Sequence, residues 1–127
     1  MKYGYTKKVS LSFEEAIDEI TLSLGEQGFG VLTKIDMQAA MKKKIDKDIE
    51  SYMILGACNP TLAYEALCSE QEIGLVLPCN IIVYKLSGEV FVSTILPTAG
   101  IGFVENAIVS DIAQRAEEKL KKSIDNL

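Results

Sequence analysis

The stretch YMILGACNPTLAYEALCSEQEIGLVLPCNIIVYKL, from Tyr52 to Leu86, decides the fold of this chain. It holds all three cysteines, two of the three prolines and the two most apolar candidate strands. Its first segment, Tyr52–Cys58, has apolar side chains on both faces and predicts a strand. Asn59 and Pro60 then predict a helix start, because asparagine is a preferred N-cap and proline at the first helical position sacrifices no hydrogen bond. A buried strand is therefore expected to turn directly into a helix.

The second half of this stretch predicts further strand, interrupted by a proline. Leu75 to Leu77 and Ile81 to Leu86 have the composition of strands, and Pro78 between them cannot donate a hydrogen bond to a sheet. A bulge, a bend or a corner is therefore expected at Pro78. Ser87-Gly88 is a two-residue hairpin signal, so that Val90 to Leu96 is the returning strand.

The residues before this stretch alternate between strand and helix patterns. Lys2 to Val9 alternates like a half-buried strand, and Ser12 opens a capping box that starts an amphipathic helix. Phe29 to Ile35 predicts a second strand, after which Asp36 can cap another helix. The apolar stripe of that helix, which we interpret as core packing, consists of Met37, Met41, Ile45 and Ile49.

A long helix is predicted at the C-terminal end of the chain. It begins between Gly100 and Phe103 and runs to about Ile124, a length of roughly 30 Å. The elements then follow the order strand, helix, strand, helix, strand, helix, strand, hairpin strand, helix. We therefore predict a single α+β domain over residues 1–127, with one largely antiparallel sheet of about five to six strands and helices packed on it.

Three of the predicted strands are apolar on both faces: Tyr52–Cys58, Ile81–Leu86 and Val90–Leu96. This pattern is unusual for an antiparallel sheet with one face in water. Either the remaining helices or the sheet of a second subunit covers the second face. We hypothesise a homodimer, with burial through a sheet face or an extended edge.

The composition limits the classes of partner. Thirteen basic and eighteen acidic residues give a net charge of −5, so we expect no nucleic-acid binding, which requires a positive surface. The N-terminus has no apolar run of signal-peptide length, and the longest apolar stretch, Ile73 to Tyr84, is too short and too interrupted to span a bilayer. Three cysteines without a secretory signal predict reduced thiols and a cytoplasmic location.

Few residues can carry catalytic chemistry. The chain has no histidine, which removes the commonest general base and the commonest zinc ligand. It contains no Gly-rich phosphate loop of the form G-x-x-x-x-G-K-[ST] or G-x-G-x-x-G. The carboxylates are scattered over helix surfaces and predict no acid–base pair. These observations favour a non-enzymatic protein without excluding an enzyme, indicate no metal site and identify no cofactor.

The cysteines Cys58, Cys68 and Cys79 match no zinc-ribbon or C-x-x-C spacing. Cys68 is expected to pack as a small hydrophobe. Cys58 directly precedes the Asn59-Pro60 cap, where helix amides lower a thiol pKa if the sulfur points at them, and Cys79 can lie on a neighbouring strand. Ligand clefts form at such places. The candidate ligand-binding residues are Cys58, Asn59, Pro60, Pro78, Cys79 and Asn80.

Two motifs carry a family resemblance. Gly56-Ala57-Cys58-Asn59-Pro60 and Leu77-Pro78-Cys79-Asn80 resemble small prokaryotic proteins of the domain-of-unknown-function family numbered three-zero-two. The resemblance also includes Ala63, Ala66-Leu67 and Gly74, and it covers nearly the whole chain. It implies a curved antiparallel sheet with helices mainly on one face, members that occur as dimers, and a candidate site at the two cysteines without an assigned activity.

Three functions remain open from the sequence. The first is a cytoplasmic homodimeric binding domain with a cleft for a small ligand or an ion near Cys58 and Cys79. The second is a thiol-based redox protein or enzyme in which Cys58 is the reactive thiolate and Cys79 its partner. The third is an interaction module without a site, in which both thiols only fill the core.

Overall fold

The computed structural model describes residues 2–127, which form five β-strands, five α-helices and one 3-10 helix. The strands and four of the α-helices follow the order expected from the sequence, whereas the 3-10 helix and a short fifth α-helix were not predicted. The strands are β1 Gly4–Val9, β2 Gly30–Asp36, β3 Tyr52–Cys58, β4 Cys79–Leu86 and β5 Glu89–Ile95. The helices are α1 Phe13–Glu26, α2 Met37–Ile45, α3 Pro60–Ser69, α4 Pro97–Gly100 and α5 Ala107–Asp125, with the 3-10 helix at Gln71–Val76.

The five strands form one open sheet in the order β1-β5-β4-β3-β2, and all neighbouring strands are antiparallel. The α+β fold predicted from the sequence is therefore confirmed. The β4–β5 hairpin turns at Ser87 and Gly88, whose φ angles of 52° and 79° lie in the left-handed region. Such turns match the right-handed twist of the paired strands.

The core lies between one face of the sheet and the helices α1 and α5. The sheet contributes Leu55, Ile81, Val83 and Val92, all fully buried. Helix α1 begins at the predicted capping box, in which Ser12 and Glu15 satisfy each other's backbone amides. Helix α5 places an amphipathic stripe against the sheet. Its buried residues are Val109, Ile112, Ala113, Ala116, Leu120, Ser123 and Ile124.

The sequence prediction of strand at Leu75 to Leu77 is wrong. These residues follow or belong to the 3-10 helix, in which Ile73 is buried and Leu75 is exposed. The Leu77 amide donates to the Gly74 carbonyl at the end of this helix. The bend expected at Pro78 is present, because β4 begins only at Cys79.

The start of the last helix was also predicted wrongly. It begins at Ala107, because Asn106 caps it by accepting hydrogen bonds from the amides of Ile108 and Val109. The Asn106 side chain also donates to the carbonyl of Ser69, which ties the helix start to the end of α3. The short helix α4 and a loop occupy the preceding residues.

The apolar stripe of α2 does not pack in the core of this chain. None of the nine residues of α2 is buried, and the helix ends at Ile45, before Ile49. Asp46 stops it with a left-handed φ of 53°. The alternation predicted for Phe29 to Ile35 is likewise broken by a bulge between Val31 and Thr33, which places Ile35 on the sheet face opposite the core.

Candidate functional site

The turn from β3 into α3 is built as the sequence predicts. Cys58 is the last residue of β3, and the Asn59 Oδ1 accepts a hydrogen bond of 3.2 Å from the Leu62 amide. Pro60 occupies the first turn of α3, where a backbone N–H group has no partner within the helix, so its lack of an N–H group costs no hydrogen bond. Leu62 and Ala66 then direct α3 toward the core. The capping asparagine thus occupies the Leu62 amide, one of the amides at the helix start.

The second motif lies beside the first because β3 and β4 are paired. Cys79 is opposite Ala57, and Asn80 is opposite Gly56. Cys79 therefore lies diagonally across from Cys58 on the neighbouring strand. All three cysteines are free thiols, and Cys68, which was expected to pack as a small hydrophobe, is instead exposed on α3.

A small apolar cavity of about 40 Å³ lies where the two motifs meet. This volume holds a few water molecules or one very small apolar molecule, since one water requires roughly 10–15 Å³. Four of the predicted site residues line it: Cys58, Asn59, Pro78 and Cys79. The opposite wall comes from α3, α4 and α5 and includes Ala66, Pro97 and Ala113.

A surface groove of about 250 Å³ adjoins this cavity. The two spaces share Pro78, Cys79, Pro97 and Ile101, so these residues form the partition between them. Asn80, the fifth predicted residue, lines the groove but not the cavity. Pro60 lines neither space and instead faces a polar surface pocket with Arg115 and Lys119. We use the name Cys79 site for the cavity and the groove together.

Burial controls the charge of the two thiols. Desolvation, with a smaller contribution from the neighbouring Cys58 thiol, raises the pKa of Cys79 to about 11. Desolvation also raises the pKa of Cys58. The lowered pKa considered for Cys58 from its place before a helix is therefore wrong in direction. Both thiols are uncharged at neutral pH.

Sequence reasoning missed the half of the Cys79 site that comes from the C-terminal part of the chain. Pro97, Ile101 and Ala113 lie far from both cysteine motifs along the chain, and no local pattern connects them. The one available signal was the pair of small residues Ala113 and Ala116 on α5, which permit close approach of α3. A cavity can remain only where such short side chains meet.

Metal binding and membrane insertion find no support in the part of the chain that the structure describes. Residues 2–127 contain no group of three or more cysteine and acidic side chains placed to hold a metal ion. Over the same range, no helix is long and apolar enough to cross a bilayer.

These features define a class of protein: a small α+β domain with helices on one side of an open antiparallel sheet and two half-buried thiols beside an apolar cavity. The chain belongs to the family described as Domain of unknown function DUF302, whose model matches residues 5–127. It is similar to an uncharacterized conserved DUF302 protein from Bacillus stearothermophilus, known from a crystal structure. The two are 29% identical, with a TM-score of 0.92 over 98% of each chain. No curated protein matches the chain significantly.

Proposed function

We propose that this chain is a non-enzymatic binding domain that acts as a cytoplasmic homodimer and takes a small uncharged ligand in the Cys79 site. The observation that carries the proposal is that an apolar cavity and a surface groove lie on the two sides of a shared wall that contains Cys79. The groove gives a ligand access, and a small displacement of this wall lets the cavity receive an apolar group of the ligand. The groove alone approaches the lower end of the roughly 300–1,000 Å³ range of small-molecule sites.

The walls of the site favour an uncharged ligand over an ion. The cavity is lined almost entirely by carbon and sulfur atoms, and an ion placed there would lose its hydration without gaining charged partners. The backbone and the Asn80 side chain at the groove can fix the orientation of a polar end.

The same walls oppose the thiol-based alternative. Redox and nucleophilic chemistry of cysteine proceeds through the thiolate, and burial raises the pKa of both Cys58 and Cys79. A neutral thiol packs as a small hydrophobe, and this role suits the rim of an apolar cavity. The homodimer is supported by the second face of the sheet, whose central side chains Ile54, Ile82 and Tyr84 are only half-buried in one chain.

Native mass spectrometry of the freshly purified protein tests the proposal, because it reports the oligomer mass and bound species together. We expect a dimer that carries a small molecule. Ala113→Val adds two methyl groups to a wall of a 40 Å³ cavity and is expected to abolish this bound mass. Ala107→Val, on an exposed position of the same helix, is the matched control and should retain it.

Two results would contradict the proposal. One is a wild-type protein that carries no small molecule in any fresh preparation. The other is a bound mass that persists in Ala113→Val. Circular dichroism of both variants verifies that the comparison is made between folded proteins, since overpacking a core position destabilises by about 1–3 kcal/mol.

A further inference from the structure

The face of the sheet opposite the core contains two rows of side chains, which we name the open face. Helix α2 contacts β3 of the same chain, but none of its residues is buried. The first row crosses all five strands in register and contains Ile35, Ile54, Ile82, Ser93 and Thr6. The second contains Lys8 and the stacked rings of Tyr52, Tyr84 and Phe91, with centroid separations of 5.7 and 5.3 Å. Apart from Ser93, these side chains are half-buried or exposed. An apolar surface that spans three central strands is thus available to a partner.

Helix α2 is a second surface without a cover. It has nine residues, none of them buried, and Ile45 at its end is 59% exposed. Helices shorter than about 12 residues are marginal in water without tertiary packing. Asp36 caps the helix through the Ala39 amide at 2.9 Å, but a cap contributes only about 1 kcal/mol. Its stripe of Met37, Met41 and Ile45 therefore requires an apolar surface from elsewhere.

The charge of α2 is opposite to that of the remaining chain. The helix contains Lys42, Lys43 and Lys44 and no carboxylate, whereas the other residues comprise ten basic and eighteen acidic side chains. Among residues 2–127, the lysine of α2 that forms salt bridges is Lys42, which contacts Asp46 and Asp48 on the exposed segment that follows. A basic helix is attracted to a molecule of opposite net charge, and a second copy of this chain, with a net charge of −5, is such a molecule.

The open face and the uncovered stripe of α2 together indicate which element covers the open face. Packing of sheet against sheet would cover the open face and leave α2 exposed, whereas pairing of α2 with α2 would leave the sheet exposed. A two-fold symmetric dimer in which each α2 packs on the partner's open face covers both at once. It also repeats on the second face the helix-on-sheet layer that α1 and α5 form on the first.

We infer that α2 of each protomer docks on the open face of a second copy of this chain, with Met41 and Ile45 against Ile54 and Ile82. The inference rests on the homodimer of the proposed function and names the surfaces that form it. Each protomer contributes one helix and one sheet face, so the interface consists of two identical halves.

Charge substitution on each surface tests this arrangement by sedimentation equilibrium. Ile45→Glu places a carboxylate in both halves of the interface, and Ile82→Lys places an ammonium group there. Each variant alone is expected to weaken the dimer by roughly a hundredfold or more, because two unpaired charges become buried. Leu22→Glu is the matched control, since Leu22 is 65% exposed on α1 and lies outside both surfaces. It should remain a dimer.

Mixing the two variants provides the decisive measurement. In a heterodimer of Ile45→Glu with Ile82→Lys, one half of the interface pairs Glu with Lys and the other half has the wild-type residues. We expect native mass spectrometry of an equimolar mixture to show the heterodimer at concentrations where each variant alone is a monomer. Amide exchange gives a second readout in the wild type: protection of the α2 amides that is lost on dilution to the monomer.

The possible outcomes separate the dimer from its proposed geometry. A wild-type monomer would overturn both. A dimer that tolerates Ile45→Glu but not Ile82→Lys indicates sheet-to-sheet packing. A dimer that tolerates both substitutions indicates another interface. Either result would overturn the docking of α2. Two monomeric variants that do not associate on mixing would overturn the reciprocal arrangement. If a variant fails to fold, the amide-exchange measurement on the wild type decides. Exchange of the α2 amides at the same rate in the dimer and in the diluted monomer would overturn the inference.

Discussion

Replacing Gly56 with alanine tests whether close packing around β3 and β4 holds the Cys79 site in shape. A Cβ atom at this position would overlap with Thr33 Oγ1 and lie 2.8 Å from Pro78 Cγ. Carbon atoms in good contact are about 3.5–4.0 Å apart, so Pro78 would have to move by about 1 Å. Thr33 is exposed and can rotate away, but Pro78 is held in the partition between the cavity and the groove.

The expected loss of stability for Gly56→Ala is that of an overpacked core position, about 1–3 kcal/mol. For a domain of this size, this corresponds to a fall in Tm of roughly 4 °C per kcal/mol. Urea denaturation followed by circular dichroism measures the difference in the free energy of unfolding. Gly30→Ala is the matched control, because Gly30 also lies in a strand and a Cβ there meets no atom within 4 Å. Its stability should equal or slightly exceed that of the wild type.

A double variant separates the two contacts. Adding Thr33→Ala to Gly56→Ala removes the overlap with the hydroxyl and leaves the contact with Pro78, so most of the destabilisation should remain. Full recovery in the double variant would show that Thr33, not Pro78, resists the methyl group. Wild-type stability of Gly56→Ala itself, or an equal loss in Gly30→Ala, would refute the packing argument.

Two further predictions concern titratable groups. At pH 8, a thiol reagent should modify exposed Cys68 first. The pKa of Cys79, about 11, lies above the usual 9, so on thiolate fraction alone Cys79 should react roughly a hundredfold more slowly than a thiol of the usual pKa. Peptide mass spectrometry with Cys68→Ser as the control measures the rates, and equal rates at Cys68 and Cys79 would contradict the burial of the second thiol. The Glu50 carboxylate accepts hydrogen bonds from the two amides of the β4–β5 turn, which hold its pKa below the usual 4.5. Because the pKa of Glu50 is lower in the folded state, its carboxylate stabilises the protein above pH 4.5, and this stabilisation is lost as the pH falls through the pKa of the folded state. Glu50→Gln should therefore cost more stability at pH 7 than at pH 3. Urea midpoints at the two pH values measure this, and the same loss at both would argue against the turn contact.

Elements that depend on interactions within a few residues could be predicted from the sequence. The capping box at Ser12, the Asn59-Pro60 helix start and the Ser87-Gly88 turn each satisfy backbone groups within one turn of chain, and the structure contains all three. The strand and helix order follows from these signals together with apolar periodicity. Local hydrogen bonding suffices for them, because no distant residue is needed to complete the bond.

The wrong predictions of secondary structure concern segments whose conformation depends on distant contacts. The apolar run at Leu75 was assigned to a strand, but burial of Ile73 against the core holds a 3-10 helix there. The predicted start of the last helix lies too early in the chain. The observed start is fixed by the cap at Asn106, whose side chain also donates a hydrogen bond to Ser69 on another helix. Apolar periodicity on α2 predicted core packing, and this prediction is wrong, because none of the nine residues of the helix is buried in its own chain.

The same distinction between local and distant contacts applies to the candidate site. The sequence by itself determined that Cys58 ends a strand and that Asn59 caps the helix after it, because strand alternation and capping are encoded locally. It left open whether Cys79 lies on a neighbouring strand, because the order of strands in the sheet depends on tertiary packing. The tertiary structure alone decided that Cys79 lies in a partition between a cavity and a groove, and that its thiol stays protonated. The desolvation of the Cys79 thiol depends on all the atoms that surround it, and here those atoms come from α3, α4 and α5. The packing of these distant helices brings them together.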